Sequence, residues 1–179
     1  MKILAICGSP RKGNTEVMLR KILEGAAYKG AEIEILLLRD KNINLCFGDM
    51  ECESSGKCAT RDDMKDILKM MVDADILIFG SPTYFDNVSG LFKNFMDRTL
   101  PLYSDKQLKD KPVVIVAVGG EELGKSSIED AAKRIEKFCK IQEMKVVKTI
   151  LGSADKPGEI SKNIKKMQEC FEVGENLVK

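Results

Sequence analysis

Short apolar runs alternate with segments of helical period along the whole chain, and few folds satisfy that pattern. The runs cover residues 2–7, 33–38, 75–79, 113–118 and 145–150. Between them, apolar residues recur three and four apart. Met18, Leu19, Ile22, Leu23 and Ala26 share one face of a helix over 15–29. Met64, Ile67, Leu68 and Met71 do the same in a helix that Thr60 and Asp63 open as a capping box. Further helices read over 89–100, which Pro101 ends, over 126–139 and over 159–172. This order predicts a doubly wound, five-stranded parallel sheet of order 2-1-3-4-5 with helices on both faces. Ligands of such sheets bind at the carboxyl ends of strands, where the order reverses. Runs one, three and four end in loops rich in Gly or Pro and run two does not, so three unusual loops are expected to meet on one edge.

The chain is 179 residues long, a length that predicts a single domain over 1–179 with a cysteine-bearing loop at about 40–59. With 29 basic and 28 acidic residues it has no field that would favour nucleic acid or an anionic membrane. Its apolar stretches are strand-sized, too short to span a bilayer. Gly8-Ser9-Pro10 cuts off the first run, which reads as a strand and not a leader, and the expected compartment is the cytoplasm, where six cysteines stay reduced. There is no His. That removes the commonest general base and metal ligand, and with it the Ser-His and Cys-His nucleophile pairs. Any enzyme chemistry is then expected to reside on a cofactor.

The loop after the first strand reads Cys7-Gly-Ser-Pro-Arg-Lys-Gly-Asn-Thr-Glu16. Small residues that run into a helix N-terminus make a phosphate cradle. A triphosphate loop needs Lys in the position that Asn14 holds. A low-molecular-weight tyrosine phosphatase loop, Cys-x5-Arg, needs Arg where Gly13 stands. What remains suits one terminal phosphomonoester that is held and not cleaved, and FMN is the common cofactor with that end. Ser9, Arg11, Gly13, Asn14 and Thr15 are the candidate phosphate residues. Ser81-Pro-Thr-Tyr-Phe85 follows the third strand. There Pro82 stiffens the chain, Thr83 follows it, and Tyr84 with Phe85 offers an apolar wall to a flat ring. Gly119-Gly120-Glu121 follows the fourth strand and lets backbone approach a ligand closely.

Together these motifs, with Ser89-Gly-Leu-Phe-Lys93-x2-Met96-Asp-Arg98, resemble the NAD(P)H-dependent FMN reductases, and more narrowly their iron–sulfur flavoprotein branch. The resemblance implies a flavodoxin-like fold, FMN as cofactor, NAD(P)H as co-substrate, and a homodimer or homotetramer that completes the flavin site. It assigns the phosphate to Ser9, Arg11, Asn14 and Thr15 and the ring to Pro82, Thr83, Tyr84 and Phe85. Lys93 and Arg98 are expected to be surface or interface charges. The branch carries four closely spaced cysteines. This chain has Cys46-x5-Cys52-x5-Cys58, with Asp49 where the second would stand. Cluster ligation is overwhelmingly by four thiolates. A degenerate iron–sulfur site, a zinc site of three Cys and Asp49, a disulfide, and free surface thiols all remain open for this loop. Cys7, Cys139 and Cys170 read as core residues.

The expected function is transfer of electrons from NAD(P)H through FMN to a small acceptor such as a quinone, with no catalytic side chain. An electron carrier fed by ferredoxin and a non-catalytic FMN-binding regulator are the alternatives.

Overall fold

The computed structural model describes residues 1–120, 122–124 and 127–178. The five apolar runs become β1 (Lys2–Cys7), β2 (Glu32–Leu37), β3 (Ile76–Tyr84), β5 (Pro112–Gly119) and β6 (Lys145–Ser153). A further strand, β4 (Asn87–Val88), folds back antiparallel on the end of β3. The helices are α1 (Asn14–Tyr28), α2 (Glu51–Ser55), α3 (Met64–Asp73), α4 (Gly90–Asp97), α5 (Ser127–Ile141) and α6 (Ile164–Leu177). The main strands are parallel in the order β2-β1-β3-β5-β6. That is the expected order, with β4 taking one number.

Alternation along each strand divides the core into two layers. Ile3, Ala5 and Cys7 face α1 and α6 with Met18, Leu19, Ile22 and Cys170. Leu4 and Ile6 face the other side, where Phe79, Phe92, Phe95 and Phe138 gather under α3, α4 and α5. Cys7, Cys139 and Cys170 are fully buried. Among the described residues no helix is long and apolar enough to cross a membrane.

Several boundaries differ from the sequence reading, each for a local reason. The Ser81–Tyr84 motif is strand and not loop, because β3 continues its register with β5 through Pro82↔Val118. β1 leaves β3 at Gly80. Beyond that point one flank of β3 is free, and a proline lacking its N–H is tolerated there. The turn falls at Phe85 and Asp86, both left-handed with φ of 49° and 56°. The helix expected over 159–172 splits into a 3-10 turn, Glu159–Lys162, and α6, because the Asn163 side chain caps α6 by accepting from Lys166 N–H. The capping box of Thr60 and Asp63 does not form. The Asp63 carboxylate accepts from Asn42 N–H, and Asp62 caps Met64 instead. The helix expected from Ser126 is described from Ser127, since Ser126 lies outside the described residues.

Two glycines let α1 and α6 cross backbone to backbone. A Cβ on Gly174 would sit 1.9 Å from the Ile22 carbonyl oxygen, and one on Gly25 would sit 2.0 Å from that of Phe171. No side chain can move to relieve either clash. Gly174→Ala is therefore expected to lose about 3 kcal/mol in urea unfolding, although Ala gains about 1 kcal/mol of helix propensity. Gly90→Ala, with nothing within 4 Å, is the contrast and should not destabilise. An unchanged midpoint for Gly174→Ala would refute the crossing.

Candidate functional site

The ends of β3 and β5 and the loops after β1, β5 and β6 enclose a cleft of about 180 Å³ at the carboxyl edge of the sheet. Ser9, Arg11, Asn14, Thr15, Pro82, Thr83, Tyr84, Gly119 and Gly120 line it, joined by Val118, Ala154 and Asp155. Of the residues expected here, Gly13 and Phe85 stand outside the lining. Gly13 is the N-cap of α1, and Phe85 is fully exposed at the tip of the β3–β4 hairpin. Glu121 lies outside the described residues.

The first turn of α1 is open. Gly13 brings no side chain to cap it, and the first intrahelical bond is Val17 N–H to Gly13 O at 3.1 Å. The N–H groups of Asn14, Thr15 and Glu16 thus have no helical partner. They carry the positive end of the α1 dipole toward the cleft. The buried Thr15 hydroxyl makes no hydrogen bond among the described residues. Ser9 Oγ donates to Arg11 O at 2.7 Å and accepts from Arg11 N–H at 3.3 Å, which folds the loop on itself. Two more hydroxyls fix its position. Ser89 Oγ, the cap of α4, donates to Gly8 O at 2.5 Å, while Ser81 Oγ accepts from Ser89 N–H at 3.0 Å. The phosphate-type loop and the β3 motif are therefore fastened at one point. Gly119 closes the far wall, where an added Cβ would sit 2.5 Å from Thr83 Cγ2.

Asn14 differs from expectation. Its amide nitrogen donates to Ala154 O at 3.2 Å and Lys156 O at 2.9 Å, and its oxygen accepts from Ile160 N–H at 3.2 Å. Both amide hydrogens are spent on the turn after β6, so neither is free for a phosphate. Thr83 is likewise occupied, its hydroxyl donating to Ser127 O at 2.9 Å. Cys7 is no nucleophile: burial pushes its thiol up to about 11.

Sequence reading missed the charged layer under the loop. Glu16 is buried; its Oε1 accepts from Arg20 Nε at 2.8 Å, and its Oε2 lies 2.8 Å from Arg39 Nη1. Burial pushes the Glu16 carboxyl up, but the Arg20 hydrogen bond and the adjacent Arg39 guanidinium outweigh it and hold the group below the usual range. Arg39 Nη1 also donates to Arg11 O at 3.4 Å. A Glu one turn into a helix and an Arg after β2 carry no motif, so only the fold brings them together.

Arg98 also differs. It is not a surface charge but the largest fully buried side chain. It forms a two-pronged pair with Asp62, Nη1 to Oδ2 at 2.6 Å and Nη2 to Oδ1 at 3.1 Å. Nη1 also donates to Asn44 O at 2.7 Å, and Nη2 to Cys58 Sγ at 3.5 Å. Asp62 in turn accepts from Asn44 N–H and Met64 N–H. The pair clasps both ends of the cysteine loop. Lys93 is a surface charge, paired with Asp97. Cys46, Asp49, Cys52 and Cys58 border one small pocket beside Arg98, with Cys46 exposed and Cys52 buried. Among the described residues no three Cys, Asp or Glu side chains are grouped to hold a metal ion. A larger cavity of about 490 Å³ lies between α3 and residues 98–107, and none of its lining residues belongs to the loops after β1, β3 or β5.

A sheet of this order, with an open helix N-terminus where the order reverses, belongs to the flavodoxin-like class. A family model described as NADPH-dependent FMN reductase matches residues 1–156, and the chain belongs to that family of oxidoreductases. An iron–sulfur flavoprotein of Methanocaldococcus jannaschii is 43% identical over 148 residues, 82% of this chain and 76% of that one. A putative NAD(P)H-dependent FMN-containing oxidoreductase of Bacillus subtilis is 30% identical over 168 residues, 89% of each chain. Among solved structures, an NAD(P)H:quinone oxidoreductase from Methanothermobacter marburgensis superposes with a TM-score of 0.77 over 99% of this chain and 96% of its own; at 17% identity the likeness concerns the fold alone.

The Asp62–Arg98 clasp has a pH signature. Burial raises the Asp62 carboxyl, but hydrogen bonds from Arg98, Asn44 and Met64 lower it by more, leaving it depressed. A depressed folded-state carboxyl stabilises above its unfolded value, and that contribution disappears as pH falls through the folded value. Amide exchange in residues 42–62 should rise, after correction for intrinsic rates, once pH drops below about 3.9. Asp62→Asn should bring that exchange on at neutral pH and cost about 3 kcal/mol, because Arg98 is left buried and unpaired. Unchanged protection in Asp62→Asn would show that the clasp does not hold the loop.

Proposed function

We propose that the chain binds FMN, with the phosphate at the α1 N-terminus and the ring along Pro82–Tyr84 and Gly119-Gly120, and passes electrons from NAD(P)H to a small acceptor such as a quinone. The open first turn of α1 carries this reading. Unpaired N–H groups, the unpartnered Thr15 hydroxyl and Arg11 border one cleft, a donor set that fits a phosphomonoester dianion. FMN, when bound, supplies the hydride-accepting chemistry, which accords with a chain that has no His. The protein's part is to hold the phosphate, to lay the ring against Pro82 and half-exposed Tyr84, and to keep water from one face of it. Backbone N–H groups near Gly119 and Thr83 would stabilise negative charge on a reduced ring.

A cleft of about 180 Å³ is smaller than the roughly 300–1,000 Å³ of a complete small-molecule pocket. In this reading a second copy of the chain covers the rest of the ring, and the working unit is a homodimer or homotetramer in the cytoplasm. The kinship to an iron–sulfur flavoprotein favours a second reading, an electron carrier fed by ferredoxin. The Arg98 hydrogen bond to Cys58 Sγ weighs against it.

Two measurements decide. Anaerobic NADPH or NADH should bleach the flavin of the purified protein. Bleaching by reduced ferredoxin alone, with iron and sulfide in the preparation, would replace the reductase reading by the carrier. Separately, Thr15→Val should raise the Kd for FMN about tenfold, the worth of one hydrogen bond to a charged group, and leave riboflavin unchanged. Asn14→Leu should weaken both ligands alike, because it releases the turn after β6 and not a phosphate contact. Equal losses for both ligands in Thr15→Val would remove the phosphate from this loop.

A further inference from the structure

Glu16 stands three residues beyond the N-cap Gly13, the position from which a Glu side chain commonly reaches back to cap its own helix. Here it does not reach back. Arg20, one turn on in α1, holds Oε1 with Nε and Nη2, both at 2.8 Å. Arg39, after β2, holds the neighbourhood of Oε2 at 2.8 Å and donates to Arg11 O. Oε2 has no well-aligned hydrogen bond and its side chain is 3% exposed. It is the one carboxylate in the first turn of α1, beside the N–H groups that the proposed phosphate needs.

We propose that Arg39 is a positioning residue: it withholds Glu16 from the α1 N-terminus and so keeps that N-terminus open for a phosphate dianion. The inference rests on the FMN reading above. Two groups compete for the same positive end of the helix. A Glu16 carboxylate swung back would accept from the Gly13 N–H and place a negative charge where the phosphate sits. Arg20 alone cannot prevent this, since it is half-exposed and binds only Oε1. Arg39 is mostly buried and lies on a different element, so its grip on Oε2 also fixes where Glu16 is relative to the loop. The Arg11 carbonyl, bound by the same Nη1, orients the loop peptide that precedes Lys12. Charge supports the arrangement: Glu16 with Arg20 and Arg39 sums to one net positive charge beneath the cradle.

The test measures Kd for FMN and riboflavin by flavin fluorescence quenching in the parent chain, Arg39→Gln, Arg39→Lys and the double variant Arg39→Gln/Glu16→Ala. Arg39→Gln is expected to weaken FMN about tenfold and leave riboflavin unchanged, because only the phosphate meets the freed carboxylate. Arg39→Lys should retain most of the affinity. The double variant should recover FMN binding to within about threefold of the parent, since the competitor is gone. A double variant as weak as Arg39→Gln overturns the proposal, as does an Arg39→Gln that binds FMN normally or loses FMN and riboflavin equally. Should the parent itself bind both flavins alike, the phosphate reading fails first, and that result is distinct from any of these.

Discussion

An α-helix leaves its first N–H groups without internal partners, and in this fold α1 leaves them unpaired at the edge where strand order reverses. Much of the surrounding structure can be understood as keeping them so. Gly13 supplies no cap, Asn14 spends its amide hydrogens on the turn after β6, and Glu16 is held aside by two arginines. The loop cannot collapse onto the gap, because Ser9 folds it on Arg11 and Ser89 pins Gly8 from the β3 side. Side chains that are strong helix caps elsewhere are occupied here. That is the local departure from self-satisfaction that functional sites show.

The remaining polar chemistry points the same way. Cys7 borders the loop but is buried, with its thiol raised to about 11, and Cys139 and Cys170 are raised by burial to about 12 and about 11. None is a nucleophile at neutral pH. With no His in the chain, the described cleft lining offers hydrogen-bond donors and apolar walls, with Tyr84 and Asp155 as its acidic side chains. Binding and orientation are what such a surface does, which is the protein's share in cofactor chemistry.

The layered sheet and its order were legible from alternation alone, because buried parallel strands read as short apolar runs and each is followed by an amphipathic helix. The cleft was legible as a set of loops for the same reason: Gly- and Pro-rich ends on runs one, three and four predict their meeting. Individual side chains were not. Asn14 read as a phosphate ligand because its motif shows position and not direction, and its partners are about 140 residues away. Arg98 read as a surface charge because a basic residue at the end of a short helix normally is one, whereas here Asp62 from another loop draws it inward. Arg39 had no sequence signal at all. Residues whose role depends on a tertiary partner fall outside what spacing can report.

α4 unites the two loops that give this chain its character. Its first turn, through Ser89, holds the phosphate-type loop at Gly8. Farther along, Asn94 donates to Ile43 O, and Arg98 just past the helix holds Asn44 O and Cys58. Eight residues of helix place these attachments about 12 Å apart. Phe92 and Phe95 lock the helix into the aromatic layer beneath the sheet. A buried ion pair adds little net stability but fixes position strongly. The Asp62–Arg98 clasp therefore sets the cysteine loop relative to α4, and α4 sets it relative to the cleft. Asp49, in the place of a cysteine, stands in a loop whose shape already comes from that polar clasp.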